Sequence, residues 1–196
     1  MKLLLERNLG NLQFEIYDQK PNFEVVKLKQ VHGPLVVSYE EAKTKEIEAD
    51  GMVLPKSFQI PAVIITADCL PILIQGKKGF AFLHAGWRGL HNQIMNHPLI
   101  KELEPRSAYI GPHIKACCFE VQPDFKSNFP QEHFYQVRGN KLYCDLTQIA
   151  QTQLKSFYHL SDIEIEKSCT CCTLQFKSFR RDGTIDRNWN IIKINK

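Results

Sequence analysis

The chain has 196 residues, 43% hydrophobic and 23% charged, with a formal net charge of +4, which is the composition of one globular domain with a sizeable core. Its basic residues are mixed with glutamates, as in EEAKTKEIEAD (residues 40–50), so the basic stripe of a nucleic-acid binder is not expected. No apolar run approaches membrane-spanning length. The opening MKLLLERNLG lacks the apolar core and cleavage site of a secretion signal, so the expected compartment is the cytoplasm, where seven cysteines stay reduced and serve as buried, metal-binding or reactive thiols.

In chain order, residues 12–18 (LQFEIYD) alternate apolar and polar side chains as a half-buried strand does. Two further strands are predicted at residues 23–33 and 34–40, broken at Gly33-Pro34. Residues 62–69 (AVIITADC) form a nearly continuous apolar run, suited to a strand buried on both faces. Residues 70–87 read as a hairpin around Gly-Lys-Lys-Gly. A short helix interrupted at Pro98 is predicted over residues 89–103, then a strand at 107–112 stopped by Gly-Pro. The clearest helix covers residues 145–160, capped by Asp145 or Thr147, with Leu146, Ile149, Ala150, Leu154 and Phe157 on one face. Strands are expected at 163–170 and 175–179, and a polar loop or edge at 180–189. Strands and helices mix without strict alternation, which predicts an α/β (α+β) fold: one layered, mixed-sheet domain over residues 1–196.

Three residues stand at strand ends beside turn formers: His32 in KQVHGP, Cys69 in TADCLP and His84 in FLHAGWRG. Such positions can open to solvent while their side chains are held rigidly. Two His and one Cys supply three ligands and leave a fourth tetrahedral position free, the pattern of a catalytic zinc site. Each residue also has a plainer reading, a buried thiol or a hydrogen-bonded histidine. Arg88 in GWRG can grip a phosphate or carboxylate bidentately, or form a surface ion pair.

The motifs KQVHG, EADGMV, TADCLPIL, HAGWRG, IGPHIKACCFEV and SCT…FKSFRRDGT occur in that order, from about Gln30 to Arg187. Together they resemble the YfiH-type laccase-domain family, also described as purine nucleoside phosphorylases, polyphenol oxidases or peptidoglycan-editing factors. The resemblance implies a single α/β sandwich-like domain and zinc held by His32, Cys69 and His84. It implies phosphorolysis of inosine, adenosine, guanosine and S-methyl-5′-thioadenosine, with adenosine deamination alongside. The partners so implied are a nucleoside and phosphate, with no nucleic acid or membrane, on a monomer or homodimer. The chain departs from the family's pattern in four places: a shortened N-terminal region without an Asn-Arg pair, a short helix after HAGWRG, TIDRNW in place of Thr-Gly-Arg, and Phe119 in place of Tyr.

An open zinc would lower the pKa of bound water for attack on a purine ring. Asp50 and Asp68 are the candidate acid/base groups, although Asp68 can equally brace the backbone. For phosphate, Arg88 is the first candidate and Arg180 and Arg181 are the reserve. Copper can occupy the same ligands, but seven His without any His-X-His do not assemble a four-copper oxidase. Hydrolysis of a misloaded peptidoglycan precursor would use the same groups. A binding module with a structural zinc would need a fourth ligand such as Cys117, Cys118 or Cys171. In SCTCC (residues 168–172), Cys169-Thr170 matches the family's Cys-Thr pair, expected to shape the pocket floor or place the Thr170 hydroxyl near substrate. Cys171 and Cys172 are read as packing or surface thiols, because no partner Cys-X2-Cys or His pair is found elsewhere.

Overall fold

A computed structural model describes residues 1–195. Fourteen strands run in chain order: β1 (Leu3–Leu9), β2 (Leu12–Tyr17), β3 (Val26–Lys27), β4 (Val36–Ser38), β5 (Gly51–Pro55), β6 (Ala62–Thr66), β7 (Leu70–Gly76), β8 (Gly79–Ala85), β9 (Pro105–Ile110), β10 (Glu120–Val121), β11 (Tyr135–Arg138), β12 (Lys141–Cys144), β13 (Asp162–Ile165) and β14 (Asn188–Ile194). Five helices accompany them: α1 (Tyr39–Thr44), α2 (Trp87–His91), α3 (Pro98–Lys101), α4 (Leu146–Tyr158) and α5 (Phe179–Asp182). A five-stranded sheet has the order β1-β2-β14-β6-β3, a six-stranded sheet the order β13-β9-β7-β8-β5-β4, and a small ribbon the order β10-β12-β11. Both large sheets are mixed, and the expected layered α/β domain is what the chain forms.

The two-residue period of the strands assigns every side chain to a layer. Leu73, Phe80, Phe82 and Tyr109 of the six-stranded sheet meet Phe14, Ile16, Ile64 and Ile192 of the five-stranded sheet. Their neighbours Ile72, Ile74, Ala81, Leu83, Ala108 and Ile110 face the other way, onto Leu90, Ile94, Ile149 and Leu154 of the helical layer. Because the six-stranded sheet is covered on both faces, β7 and β8 read as unbroken apolar runs. At Gly76 a Cβ would lie 2.3 Å from the carbonyl oxygen of Leu103, so the hairpin closes onto that loop only because the side chain is missing.

Several expected elements change. Only Val26–Lys27 of residues 23–33 is strand; beyond it the chain curls, and the N–H groups of Val31, His32 and Gly33 all donate to Asp50. Residues 34–40 divide into β4 and the start of α1, because Ser38 and Glu41 form a capping box. The helix over 89–103 breaks earlier than Pro98, at Gln93, whose backbone is left-handed (φ 54°). Pro98 then opens α3 at its first turn, where its missing N–H costs nothing. The strand at 163–170 stops at Ile165. Residues 175–179 are not strand: the Asn188 side chain bonds both the N–H and the carbonyl of Lys177, taking the place of a sheet partner, and Ser178 caps α5. Arg180 and Arg181 are therefore helical, and β14 begins at Asn188, inside the segment read as loop.

Helix α4 matches expectation. Asp145 accepts from the Gln148 N–H at 3.0 Å, while Thr147 instead bonds the His113 ring at 2.8 Å. Phe14 sits fully buried between the sheets, edge-on to Tyr109 with ring centroids 5.0 Å apart. Phe14→Ala is expected to lower unfolding free energy by about 3–5 kcal/mol and Asp145→Ala by about 1 kcal/mol. Both are read as urea midpoints at unchanged m-value, and equal losses would contradict this layering.

Candidate functional site

The chain crosses from the five-stranded to the six-stranded sheet between β6 and β7, through Ala67, Asp68 and Cys69. Asp68 has a left-handed backbone (φ 90°), a conformation costly for a residue with a Cβ. The turn puts Cys69 at the open end of the sandwich. His84, the penultimate residue of β8, and His32, also left-handed (φ 62°), arrive at the same place. The two imidazoles stand edge-on with centroids 4.7 Å apart. The donor atoms of His32, Cys69 and His84 all lie within 4.8 Å of one another.

Asp50 organises this group. Its carboxylate is fully buried and accepts the His84 Nδ1 at 2.7 Å and the N–H groups of Val31, His32 and Gly33 at 3.1, 2.9 and 2.7 Å. Burial opposes its charge, but these hydrogen bonds, His84 first, hold the carboxyl below its usual range. With Nδ1 tied back, His84 offers only Nε2 to the cluster, as a carboxylate-supported metal ligand does. Burial would push the Cys69 thiol up, yet hydrogen bonds from His32 and His84 bring it down to about 6. Burial likewise opposes charge on His84, and Asp50 and then Cys69 reverse that, raising it to about 9. A Cβ on Gly86 would meet the Cys69 sulfur at 3.0 Å, so a larger residue there would press on the thiol. Donor chemistry, thiolate character and the anchored imidazole fit a tetrahedral zinc or copper site with one open position.

The cluster borders a cleft of about 560 Å³. Arg88 stands exposed in it, its guanidinium 4.5 Å over the Trp87 ring. Among the described residues no protein acceptor takes this guanidinium. Arg180 lies 5.3 Å over the Phe119 ring and donates to the carbonyls of Cys118 and Glu120 at 3.1 and 3.0 Å. Asp68 is the one carboxylate among the lining residues. It accepts the Thr170 hydroxyl at 2.6 Å and the Arg180 N–H at 2.7 Å.

His32, Cys69, His84, Asp68, Arg88 and Arg180 thus converge, whereas three other expected residues stand back. Asp50 lies behind the ligands. Thr170 is fully buried and reaches the cleft only through Asp68. Arg181 faces inward, donating to the carbonyls of Thr170, Cys171 and Phe176 at 2.9, 3.1 and 2.8 Å. Trp87, Phe119, Phe179, Gln30 and Arg187 also border the cleft. The matched motifs contain four of them, Gln30 in KQVHG, Trp87 in HAGWRG, Phe119 in IGPHIKACCFEV and Phe179 in FKSFRRDGT, while Arg187 lies in the segment read as loop. No second Cys-X2-Cys pair exists, but the fold brings an adjacent pair to Cys169 and Cys172, so Cys172 is more than a lone surface thiol: the sulfurs of Cys117, Cys118, Cys169 and Cys172 all lie within 4.8 Å of one another.

The family model described as multi-copper polyphenol oxidoreductase laccase matches residues 6–195. A purine nucleoside phosphorylase of Aquifex aeolicus is 32% identical over 192 residues, covering 94% of this chain and 90% of the relative. One of Clostridium acetobutylicum is 32% identical over 175 residues, covering 82% of this chain and 72% of the relative. A crystal structure of a Neisseria meningitidis protein superposes with a TM-score of 0.83 at 24% identity, covering 98% of this chain and 99% of that one; its likeness is one of fold. The chain belongs to the laccase-domain family that these YfiH-type proteins represent.

As a metal site this arrangement depends on Asp50. Asp50→Asn keeps the shape but removes the charge behind His84, and is expected to weaken zinc binding by the three ligands about 10–100-fold, measured by chelator competition. Unchanged affinity in a folded protein would show that Asp50 only supports the backbone.

Proposed function

We propose that the chain is a metal-dependent purine nucleoside phosphorylase, with adenosine deamination as a second activity of the same cleft. One observation carries the reading: a three-donor His-Cys-His group bordering a cleft that also holds an unpaired guanidinium and exposed aromatic faces. A zinc ion on His32, Cys69 and His84 would supply Lewis acidity and a lowered pKa for water. The names of the Aquifex and Clostridium relatives support the phosphorylase part of this reading.

In phosphorolysis a phosphate oxygen forms a bond to C1′ of the ribose, the bond to the purine nitrogen breaks, and the base leaves with that electron pair and takes up a proton. Arg88 binds the phosphate dianion, its free donors unclaimed by protein and its plane stacked on Trp87. Arg180, over the Phe119 ring, adds positive charge to the same cleft. Phe119 and Trp87, both packed against Phe125 with centroids 5.8 and 5.4 Å away, provide rigid faces against which a purine can stack. Asp68 is the proton carrier within reach of the cleft, its orientation set by Thr170 and the Arg180 N–H. Asp50 is a positioning residue that holds His84 and the His32 loop. Thr170 and Arg181 act one step further back, on Asp68 and on the loop carbonyls.

Phenol oxidation by several coppers finds less support. Of the remaining histidines, His113 is buried with both ring nitrogens engaged and His91 bonds the Asn128 carbonyl. Among the described residues no other group combining His ligands forms a metal site.

The test is incubation of metal-loaded protein with adenosine and with inosine, with and without phosphate. Ribose 1-phosphate formed only with phosphate, and inosine formed from adenosine, are the expected products, both lost in Cys69→Ala. Absence of both products from metal-replete wild-type protein would overturn the reading. Arg88→Ala is expected to raise KM for phosphate about 10- to 100-fold, the loss of one charge-assisted interaction of about 1.5–3 kcal/mol, with a smaller change in kcat.

A further inference from the structure

We propose that Cys117, Cys118, Cys169 and Cys172 form a second metal site, a four-thiolate zinc clamp that fixes the wall of the cleft. The four sulfurs lie within 4.8 Å of one another, with Cys172 3.6 Å from Cys117 and 3.3 Å from Cys118. A tetrahedral zinc with bonds of about 2.3 Å sets sulfurs about 3.8 Å apart, so small side-chain adjustments suffice. Four thiolates saturate the ion, which marks a structural rather than a catalytic site.

The backbone is built for this role. Cys169 and Cys172 are separated by two residues, and their turn is closed by the Thr173 N–H on the Cys169 carbonyl at 2.9 Å. Cys117 and Cys118 lie on a turn in which the Cys118 N–H bonds the Lys115 carbonyl, also at 2.9 Å. The Lys115 N–H points at the Cys169 sulfur at 3.4 Å, the kind of donor that stabilises a metal-bound thiolate. The two loops are already in register, stitched by the Thr170 N–H to the His113 carbonyl at 3.1 Å. Apolar packing does not account for the cluster, because Cys117 and Cys172 are exposed. Cys171, between the two ligands, is partly buried against the core and lies outside the four-sulfur group.

The clamp sits behind the cleft. Arg180 holds the Cys118 carbonyl, Arg181 holds the Cys171 carbonyl, and Thr170 donates to Asp68. Joining the two cysteine loops therefore fixes Asp68 and Arg180 from behind. On binding, each thiol releases its proton to solvent and its sulfur lone pair forms the bond to zinc; no oxidant or reductant is involved.

Cys69→Ala isolates the clamp, since it removes a ligand of the other site and leaves these cysteines intact. After dialysis this variant is expected to retain about one zinc per chain, half the wild-type content. Its cobalt form should show the intense thiolate-to-metal charge-transfer band of several thiolates. Adding Cys172→Ser should remove the remaining metal. A Cys69→Ala protein that binds neither zinc nor cobalt overturns the proposal. So does a double variant that keeps its metal, or an intact mass showing these cysteines joined as a disulfide in protein purified under reducing conditions.

Discussion

One buried carboxylate organises the working end of this molecule. Asp50 has no solvent exposure, and an unpaired charge there would cost several kcal/mol. It is compensated by four donors: three consecutive N–H groups from Val31 to Gly33 and the His84 imidazole. Three successive N–H groups converge on one acceptor only if the chain curls as an anion-binding nest does, and the left-handed backbone of His32 (φ 62°) provides that curl. The strain at His32 and the charge on Asp50 are two sides of one arrangement. The carboxylate also joins a loop to a core strand, so the spacing of His32 and His84 is inherited from the sheet.

The second constraint is the passage between sheets. A strand leaving one layer of a sandwich must turn sharply to enter the other, and Asp68 makes that turn in an unfavourable conformation. Its side chain then binds Thr170 and the backbone of Arg180, 102 and 112 residues away along the chain. The cleft therefore lies where the layers exchange strands. Residues distant in sequence meet there because no regular ladder satisfies the turn's polar groups.

Much of this was legible in the sequence. The apolar runs of β6, β7 and β8, the Asp145 cap and the three candidate ligands were readable because each signal is local: a two-residue period, a capping side chain, a donor beside turn formers. Segments governed by remote partners were not. Residues 28–33 look like strand but curl around Asp50, and residues 175–179 look like strand but are satisfied by Asn188. β14 was hidden behind polar RRDGTIDRN, with which it shares no period. The same reason separates Arg88 from Arg181: both are basic residues in matched motifs, and only the fold decides which guanidinium is consumed by backbone carbonyls. The cysteine cluster was missed because its halves are 52 residues apart and one half is an adjacent pair rather than a spaced one.

The position of β14 bears on how the molecule comes to exist. Residues 188–194 lie between β2 and β6, so the strand of this sheet that comes last in chain order is an interior one. Until it arrives, the N-terminal hairpin and β6 each expose an unpaired edge, the kind of surface that recruits other chains. Every donor of the His-Cys-His group has by then been synthesised for more than a hundred residues, yet the layer from which Cys69 emerges is still open. The six-stranded sheet is itself completed only by β13, so between β13 and β14 one finished sheet stands beside two unjoined fragments, and the layer that carries Cys69 closes only when residues 188–194 pair on both sides.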